Sequence, residues 1–291
     1  MKKTISVLSL AFISVIILNL FCFAGTKINK MQIAAEKNLH SGGFMLMNNE
    51  ALINNVKKNK IDLAQKNIEK GADVNVKDDN GTFPLFIAVG NNNYNMVKLL
   101  ISSGADLNIK ADRIYSRKEI VDYGTALMYS ARLNLYGIAK LLVNSGADLN
   151  IQNDDGKTAL MIATERGNEK IAKLLISKGA DVDIQSMDKM TALSYAARHG
   201  KTKTAKQLIS NGAKVDNVHQ YGKTPLMEAA ENGNYEIVNL LVSNGADIAH
   251  KNNGYDTALD IAKRNRNTAI NKGKSTQGLD KVIKLLEKET K

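Results

Sequence analysis

Gly71-Ala72-Asp73-Val74-Asn75 returns five more times along this chain of 291 residues. The later copies begin at five further glycines, which are Gly104, Gly146, Gly179, Gly212 and Gly245. The steps between successive first glycines are 33, 42, 33, 33 and 33 residues. A constant period of this length is typical of proteins built from stacked structural repeats. The sequence therefore predicts a repeat array.

The residues around each copy predict helices. An apolar stretch with a leucine pair precedes the glycine, as in Val97-Lys98-Leu99-Leu100-Ile101, and this pattern favours a helix with one buried face. The glycine suits the left-handed residue that follows a helix. About ten residues after each copy, a threonine can cap the next helix with its hydroxyl. These threonines are Thr125, Thr158, Thr191, Thr224 and Thr257.

A second phrase repeats as Gly156-Lys157-Thr158-Ala159-Leu160 and Gly222-Lys223-Thr224-Pro225-Leu226. With the 33-residue period, the two phrases resemble the ankyrin repeat family over residues 48–291. The resemblance implies an all-α repeat solenoid, in which helix-turn-helix units stack and short hairpin turns join them. We expect about seven units, with boundaries near residues 48, 80, 113, 155, 188, 221 and 254.

Some positions depart from the family pattern. Phe83 stands where a capping threonine is expected, which predicts a weaker helix start in the second unit. Asn92 and Asn134 stand where later units have glycine, and asparagine is the next-best left-handed residue. The histidine that the family usually carries after Thr-Pro-Leu is absent, so we expect a weaker polar network between units.

Residues 1–24 have the features of a secretory signal peptide. Lys2 and Lys3 precede an apolar run over residues 5–21, and Cys22-Phe23-Ala24 offers small residues before a cleavage site at Gly25. This pattern predicts an exported protein, periplasmic or secreted, whose residues 25–47 form a linker and N-terminal cap. A membrane anchor over residues 5–21 and a lipoprotein that uses Cys22 are the alternatives.

Composition limits the classes of function. Aromatic residues are only 5% and tryptophan is absent, which disfavours an aromatic-lined pocket for a small molecule. Cys22 is the only cysteine, so a cleaved chain would lack disulfides and thiolate sites. The formal net charge is +11, or 38 − 29 = +9 without Lys2 and Lys3. This excess favours a protein partner with an acidic or mixed surface.

Two segments interrupt the period. The 42-residue step contains an insertion of 42 − 33 = 9 residues, at about residues 109–122, in the turn between the second and third units. Such an insertion is either a tolerated surface loop or part of a binding face. The last unit is lengthened at residues 267–278, whose Asn, Lys, Gly, Ser and Thr content predicts a mobile loop between its two helices.

The sequence offers little for catalysis. Its histidines form no metal-binding motif, and fingerprints for phosphate, dinucleotide and nucleophilic-serine sites are absent. His219 and His250 lie in successive turns and are expected to be exposed, with a two-histidine metal site as the alternative. We therefore expect no enzyme activity, cofactor, metal or small-molecule substrate. The basic clusters lack interleaved aromatics, which disfavours nucleic acid. Membrane contact is expected only through an uncleaved N-terminal segment.

The surface carries the functional prediction. Ankyrin arrays resemble a cupped hand, and the resemblance implies that partners lie across the turn tips (the fingers) and the short helices (the palm). Arg and Tyr most often anchor interfaces. The candidate partner-binding residues are Tyr115, Tyr123, Arg132, Lys157, Arg166, Met187, Arg198, Tyr221, Lys223 and Tyr255. Alanine at Arg166, Arg198 and Tyr221 together is predicted to abolish binding and to leave thermal stability nearly unchanged.

These observations predict an exported, non-catalytic scaffold that binds another protein with the concave face and turn tips of its array. Three alternatives stay open. The chain could protect or inhibit an exported enzyme, it could be an enzyme whose site the sequence does not reveal, or its basic surface could bind membrane or nucleic acid. The fold alone does not choose among partners.

Overall fold

The computed structural model describes residues 45–111, 114–115, 120–121 and 124–290, and for residues 114, 115, 120 and 121 it describes the backbone alone. The chain divides into two units, Met1–Asn48 and Asn49–Lys291. Only residues 45–48 of the first unit are described. The predicted signal peptide and most of the predicted linker therefore lie outside the described residues.

Seven helix pairs follow one another in the described part of the chain, and they confirm the all-α repeat fold. In each of the first six pairs, the second helix begins within a few residues of the end of the first helix, as Ile61–Glu69 does in the first pair. The pairs are α1 (residues 45–57) and α2 (Ile61–Glu69), α3 (Pro84–Gly90) and α4 (Tyr94–Ser102), α5 (Ala126–Arg132) and α6 (Tyr136–Asn144), α7 (Ala159–Arg166) and α8 (Glu169–Ser177), α9 (Ala192–Arg198) and α10 (Thr202–Ser210), α11 (Pro225–Glu231) and α12 (Tyr235–Ser243), and α13 (Ala258–Asn271) and α14 (Gln277–Glu289).

The predicted caps start the short helices. In α5, α7, α9, α11 and α13 the threonine hydroxyl accepts a hydrogen bond from the backbone N–H three residues later, over 3.3–3.4 Å. Phe83 holds the same position before α3 without a side-chain cap, as expected. The predicted left-handed residues are also confirmed, because Asn92 has φ +51° and Asn134 has φ +58°.

Apolar residues at equal places in each unit form the core. Leu127, Leu160, Leu193 and Leu226 begin the buried faces of successive short helices. The long helices bury Leu142 and its equivalents Leu100, Leu175, Leu208 and Leu241, most of which are the second leucine of a pair. From α3 onward the first helix of each unit packs on the first helix of the next, and from α2 onward the second helix packs on the next second helix. One unit alone would expose these faces, so stability depends on stacking.

Polar bonds between units come from the end of the repeated phrase. Asn108 Oδ1 accepts from the backbone N–H of Asp148 in the next unit, over 2.9 Å. The same bond joins four other pairs of units, through Asn75, Asn150, Asp183 and Asp216. These bonds form a polar network between units without the family's histidine.

The structure describes part of the first insertion and all of the second. In the first, β1 (Ile114–Tyr115) pairs antiparallel with β2 (Ile120–Val121), and Ala111 bridges Gly124, so the backbone forms a small hairpin. Whether this segment is a tolerated surface loop or part of a binding face stays a prediction. In the second, the prediction of a mobile loop is wrong. Residues 267–271 extend α13 and residues 277–278 begin α14, which leaves a five-residue connection, 272–276. Among the described residues, no helix is long and apolar enough to cross a membrane.

Candidate protein-binding surface

The turn tips between units are joined to one another by backbone hydrogen bonds. The N–H of Met187 donates to Asp155 O over 3.0 Å, and the N–H of Gln220 donates to Asp188 O over 3.0 Å. The N–H of Asn253 continues the series to Tyr221 O over 3.1 Å. Four successive tips, from Asp155 to Asn253, therefore form one connected edge, and each tip restrains its neighbour.

Three large side chains stand out from this edge, and we call them the tip row: Met187, Tyr221 and Tyr255. Their exposed fractions are 76%, 66% and 82%. Tyr221 and Tyr255 have left-handed backbones, with φ of +70° and +62°. Tyr255 occupies the place that Gly81 and Gly156 take in earlier tips. A bulky residue with positive φ is strained, and such strain is concentrated at functional sites.

Charges of alternating sign mark the seventh residue of the first helix in five successive units. Seven residues after the capping position, successive units carry what we call the palm row: Arg132, Glu165, Arg198, Glu231 and Arg264. Three of these residues pair with the residue that directly precedes the cap. Lys157 contacts Glu165 over 2.8 Å, Lys223 contacts Glu231 over 2.6 Å, and Arg264 contacts Asp256 over 2.7 Å with the signs reversed.

Arg198 cannot form this pair because buried Met190 takes the place before the cap. Its guanidinium reaches instead to Glu228 on α11 of the next unit. Nε lies 2.8 Å from Oε2 and Nη2 lies 3.2 Å from Oε1. Met190 is therefore a core residue, and Arg198 is directed toward the next unit.

Glu228 is a buried carboxylate with three cationic or polar neighbours. It is 1% exposed, and its Oε1 lies 3.1 Å from His219 Nε2 and 3.9 Å from Lys223 Nζ. Burial by itself would raise the pKa of Glu228. The contacts with His219, Arg198 and Lys223 outweigh burial and lower that pKa from 4.5 to about 2. The carboxylate therefore stays charged at neutral pH.

The prediction that His219 and His250 are exposed is wrong. His219 is 5% exposed because its ring fills the space between the turn and Glu228. His250 is partly buried, and its Nε2 lies 2.9 Å from Gly222 O. In the other described turns a shorter side chain at the position of His219 accepts from the backbone, as Asn153 does from the N–H of Lys157. The repeat pattern of a single sequence does not predict that a histidine in place of this shorter side chain is buried.

The structure places the candidate residues in different parts of the array. Met187, Tyr221 and Tyr255 share the tip edge, while Lys157, Arg198 and Lys223 are held in ion pairs on the short helices. Arg132 and Arg166 end α5 and α7, where Arg132 is partly buried and Arg166 exposed. Tyr115 lies in β1, and Tyr123 lies outside the described residues. Sequence reasoning missed two buried residues: Glu228, which pairs with Arg198, and His219, which contacts Glu228.

The arrangement favours recognition by contact. Within the described residues, no group of three or more His, Cys, Asp or Glu side chains could hold a metal ion. The palm row presents ion pairs, and the tip row presents large apolar and aromatic side chains on a restrained backbone. Exposed aromatic residues together with Arg are characteristic of protein interfaces.

Comparison with known proteins agrees with this architecture. A family model described as ankyrin repeats (three copies) matches residues 27–111, 51–153, 111–186, 183–252 and 211–272. No curated protein matches the chain. A solved structure described as the ankyrin repeat domain of Bcl-3, a unique member of the IkappaB protein family, is similar in fold. It has a TM-score of 0.63 and 24% sequence identity, over 72% of this chain and 92% of that chain.

Repeats of this kind generally mediate interactions between proteins, and proteins built from them are typically non-catalytic. The family matches together span residues 27–272, well over half of the chain. The chain therefore belongs to the ankyrin repeat family.

Proposed function

We propose that this protein is an exported, non-catalytic scaffold that binds another protein through the tip row and the palm row. The observation that carries the proposal is the tip row itself, since Met187, Tyr221 and Tyr255 are highly exposed on one hydrogen-bonded edge. A restrained backbone reduces the entropy that binding must remove. Exposed apolar side chains on such an edge gain free energy when a partner covers them.

The backbone of the tips supports the same proposal. Glycine would occupy the place of Tyr255 without strain, as it does at Gly81, Gly156 and Gly222. A tyrosine held at φ +62° there costs stability, and its side chain is nevertheless 82% exposed. Tyr255 therefore contributes little to the core, and a contact surface gives it a role.

A crosslinking pull-down with mass spectrometry tests the proposal. The bait is the protein cleaved at the predicted site, used in extracts of its own compartment. The test variant combines Met187→Ala, Tyr221→Ala and Tyr255→Ala. The matched control combines Tyr94→Ala and Tyr136→Ala, which remove exposed tyrosines from the starts of the long helices α4 and α6.

We expect a specific protein that the wild type and the control capture and the tip-row variant does not. Removing interface anchors typically costs about 2 kcal/mol or more each, which corresponds to a large loss of affinity. Capture of the same protein by all three baits, or of none by the wild type, would contradict the proposal.

Export is the second part of the proposal. Lys2, Lys3, the apolar run at 5–21 and the small residues before Gly25 support it, and all of them lie outside the described residues. N-terminal sequencing of the purified protein is expected to begin at or near Gly25. Intact Met1 on protein from the cytosol would rule export out.

A further inference from the structure

We propose that Arg198 binds the carboxylate of an acidic side chain on the protein partner, through the edge of its guanidinium that Glu228 leaves open. This inference rests on the proposed function and gives the chemistry of one contact within it. It also assigns Glu228 as a positioning residue, which acts on the partner through Arg198.

The geometry of the ion pair leaves a second binding edge. Glu228 accepts from Nε and from Nη2, which form the lateral edge of the guanidinium. A guanidinium carries five N–H donors in a rigid plane, so Nη1 and the second N–H of Nη2 point away from Glu228. Within the described residues, these remaining donors have no protein partner. The Arg198 side chain is 40% exposed, so the open edge is accessible.

Charges of both signs surround Arg198. His199 follows it, and burial first, then the positive charges of Arg198, Lys201 and Lys157, lower the pKa of His199 against the opposing effect of Glu165. Exposed Arg166 ends the preceding short helix. The cations Lys157 and Lys201 and the carboxylate of Glu165 therefore lie around His199, the residue next to Arg198.

The neighbours in the palm row favour a carboxylate over a phosphate. Glu165 and Glu231 hold the equivalent positions in the units before and after Arg198. Lys157 and Lys223 pair with these two carboxylates, and what repulsion remains is weaker for a singly charged carboxylate than for a dianionic phosphate. A carboxylate also matches the open edge in planar shape. The partner surface complementary to this row would carry an acid opposite Arg198, flanked by basic or polar groups.

The spacing of the row sets the size of the complementary element. Packed helices lie about 8–10 Å apart, so neighbouring palm-row residues are separated by about one such step. A segment in the polyproline II conformation has three residues per turn and rises about 3.1 Å per residue, so side chains three residues apart lie on one face, about 9 Å apart. Such a segment, with an acid at its centre and a base three residues away on each side, would therefore match Glu165, Arg198 and Glu231.

The first experiment measures the affinity for the captured partner. Arg198→Lys keeps a positive charge beside Glu228 and removes the planar open edge. Lys206→Gln, on α10 of the same unit, removes a positive charge from an exposed residue of the long-helix layer. We expect Arg198→Lys to weaken binding about tenfold, with a melting temperature close to that of the wild type. Lys206→Gln should change binding less than twofold. Equal binding by Arg198→Lys and the wild type would overturn the inference.

A second experiment needs no partner. The probe is a seven-residue peptide with blocked termini, a central glutamate and a lysine at each end. Two comparison peptides replace the glutamate with glutamine, one with blocked termini and one with a free carboxyl terminus. Binding is followed through the side-chain NMR signals of arginine, and Arg198→Lys identifies the signal of Arg198.

We expect only the glutamate peptide to shift the Arg198 signal in a saturable way. No shift, or a shift with the free carboxyl terminus alone, would overturn the assignment to an acidic side chain. If the glutamate peptide binds and the wild type captures no protein, the carboxylate site stands and the proposed function fails. If a protein is captured and neither experiment depends on Arg198, the proposed function stands and the carboxylate site fails.

Discussion

His219, in the turn between the fifth and sixth units, contacts Glu228 in the sixth, and both positions hold other residue types elsewhere. The place of Glu228 is taken by Tyr129, Tyr195 and Ile261 in other units. A carboxylate is stable there only because Arg198, His219 and Lys223 surround it. At the scale of single residues, this array differs from a regular repeat at pairs of contacting positions that both depart from the pattern, such as Glu228 and His219.

The network changes one expectation about Arg198. The sequence predicted that alanine at Arg166, Arg198 and Tyr221 would leave stability nearly unchanged. Arg198→Ala would remove two hydrogen bonds from the buried carboxylate of Glu228, which typically costs about 1–3 kcal/mol. Arg198→Lys is therefore the better probe of binding, because it keeps a cation in place.

The lowered pKa of Glu228 predicts an acid-dependent stability. A carboxyl group whose pKa is lower in the folded state stabilises the protein above its unfolded pKa, and it loses this contribution as the pH falls through the folded pKa. Between about pH 4.5 and pH 2, the contribution of Glu228 to the free energy of unfolding should fall by roughly 2–3 kcal/mol. Glu228→Gln should be less stable at neutral pH, and its stability should fall less over this interval.

Urea denaturation at several pH values measures this effect. Glu231→Gln is the matched control, since Glu231 lies on the same helix and pairs with Lys223 at a more exposed position. Parallel loss of stability in the wild type and in Glu228→Gln between pH 4.5 and pH 2 would show that Glu228 does not carry the effect.

Tyr255 gives a second prediction at this scale. Tyr255→Gly should raise the free energy of unfolding by about 1 kcal/mol, because glycine adopts the left-handed conformation without strain. The same change should weaken partner binding. Met187→Ala should weaken binding without any gain in stability, since Met187 is not among the residues with positive φ. A variant at Tyr255 that is less stable than the wild type would mean that the ring is part of the fold.

At the scale of elements, each unit is joined to the next by a core contact and by a polar bond at the end of the repeated phrase. Asn150 Oδ1 accepts from the N–H of Asp181 over 2.9 Å, at an exposed position. The phrase in the sixth unit ends in Ala249, which has no such side chain. The series of bridges therefore stops before the last pair of helices, whose lengthened α13 and α14 pack directly on each other.

Removing one bridge should have a measurable cost. Asn150→Ala is expected to lower the free energy of unfolding by about 1 kcal/mol, the typical net contribution of one hydrogen bond. Asn144→Ala is the control, because Asn144 is an exposed residue at the end of α6. Alanine there should leave stability unchanged or raise it slightly. Equal effects of the two changes on the urea midpoint would show that the bridge contributes nothing.

Periodicity explains which elements the sequence could predict. The 33-residue step, the leucine pairs and the capping threonines locate six of the seven helix pairs, because stacking requires the same residues at the same places. The insertion at 267–278 was harder, since polar residues such as Thr268 and Asn271 suit an exposed helix as well as a loop. Single-sequence patterns do not separate these two states when the helix is stabilised by its neighbour.

The candidate site was less predictable for a different reason. The tip residues Met187, Tyr221 and Tyr255 could be proposed from their positions in the turns. The contacts of Arg198 could not, because its partner Glu228 lies 30 residues away in the next unit. The pairing forms because Met190, and not a charged residue, occupies the position before the cap. The contact between Arg198 and Glu228 is made only when two units stack, so the sequence of one unit does not show it.

At the scale of the whole molecule, the array combines a repeating interior with an edge that changes from unit to unit. The leucines of the interior are nearly the same in every unit, whereas the tips change from Asp154-Asp155 to Met187-Asp188, Gln220-Tyr221 and Asn253-Gly254. A surface that does not repeat can distinguish one partner from others, since specificity is a difference between affinities. Partner binding at this edge is therefore the central claim.

Site-specific photocrosslinking in the native cell tests this claim most directly. A photoreactive amino acid replaces Tyr221 or Tyr255 in the tip row, and in separate strains it replaces Tyr94 or Tyr136 on the long helices. We predict that the tip-row positions crosslink to one defined protein and that the long-helix positions do not. Crosslinks to the same protein from Tyr94 and Tyr136 alone, or no crosslinked protein from either tip position, would contradict the claim.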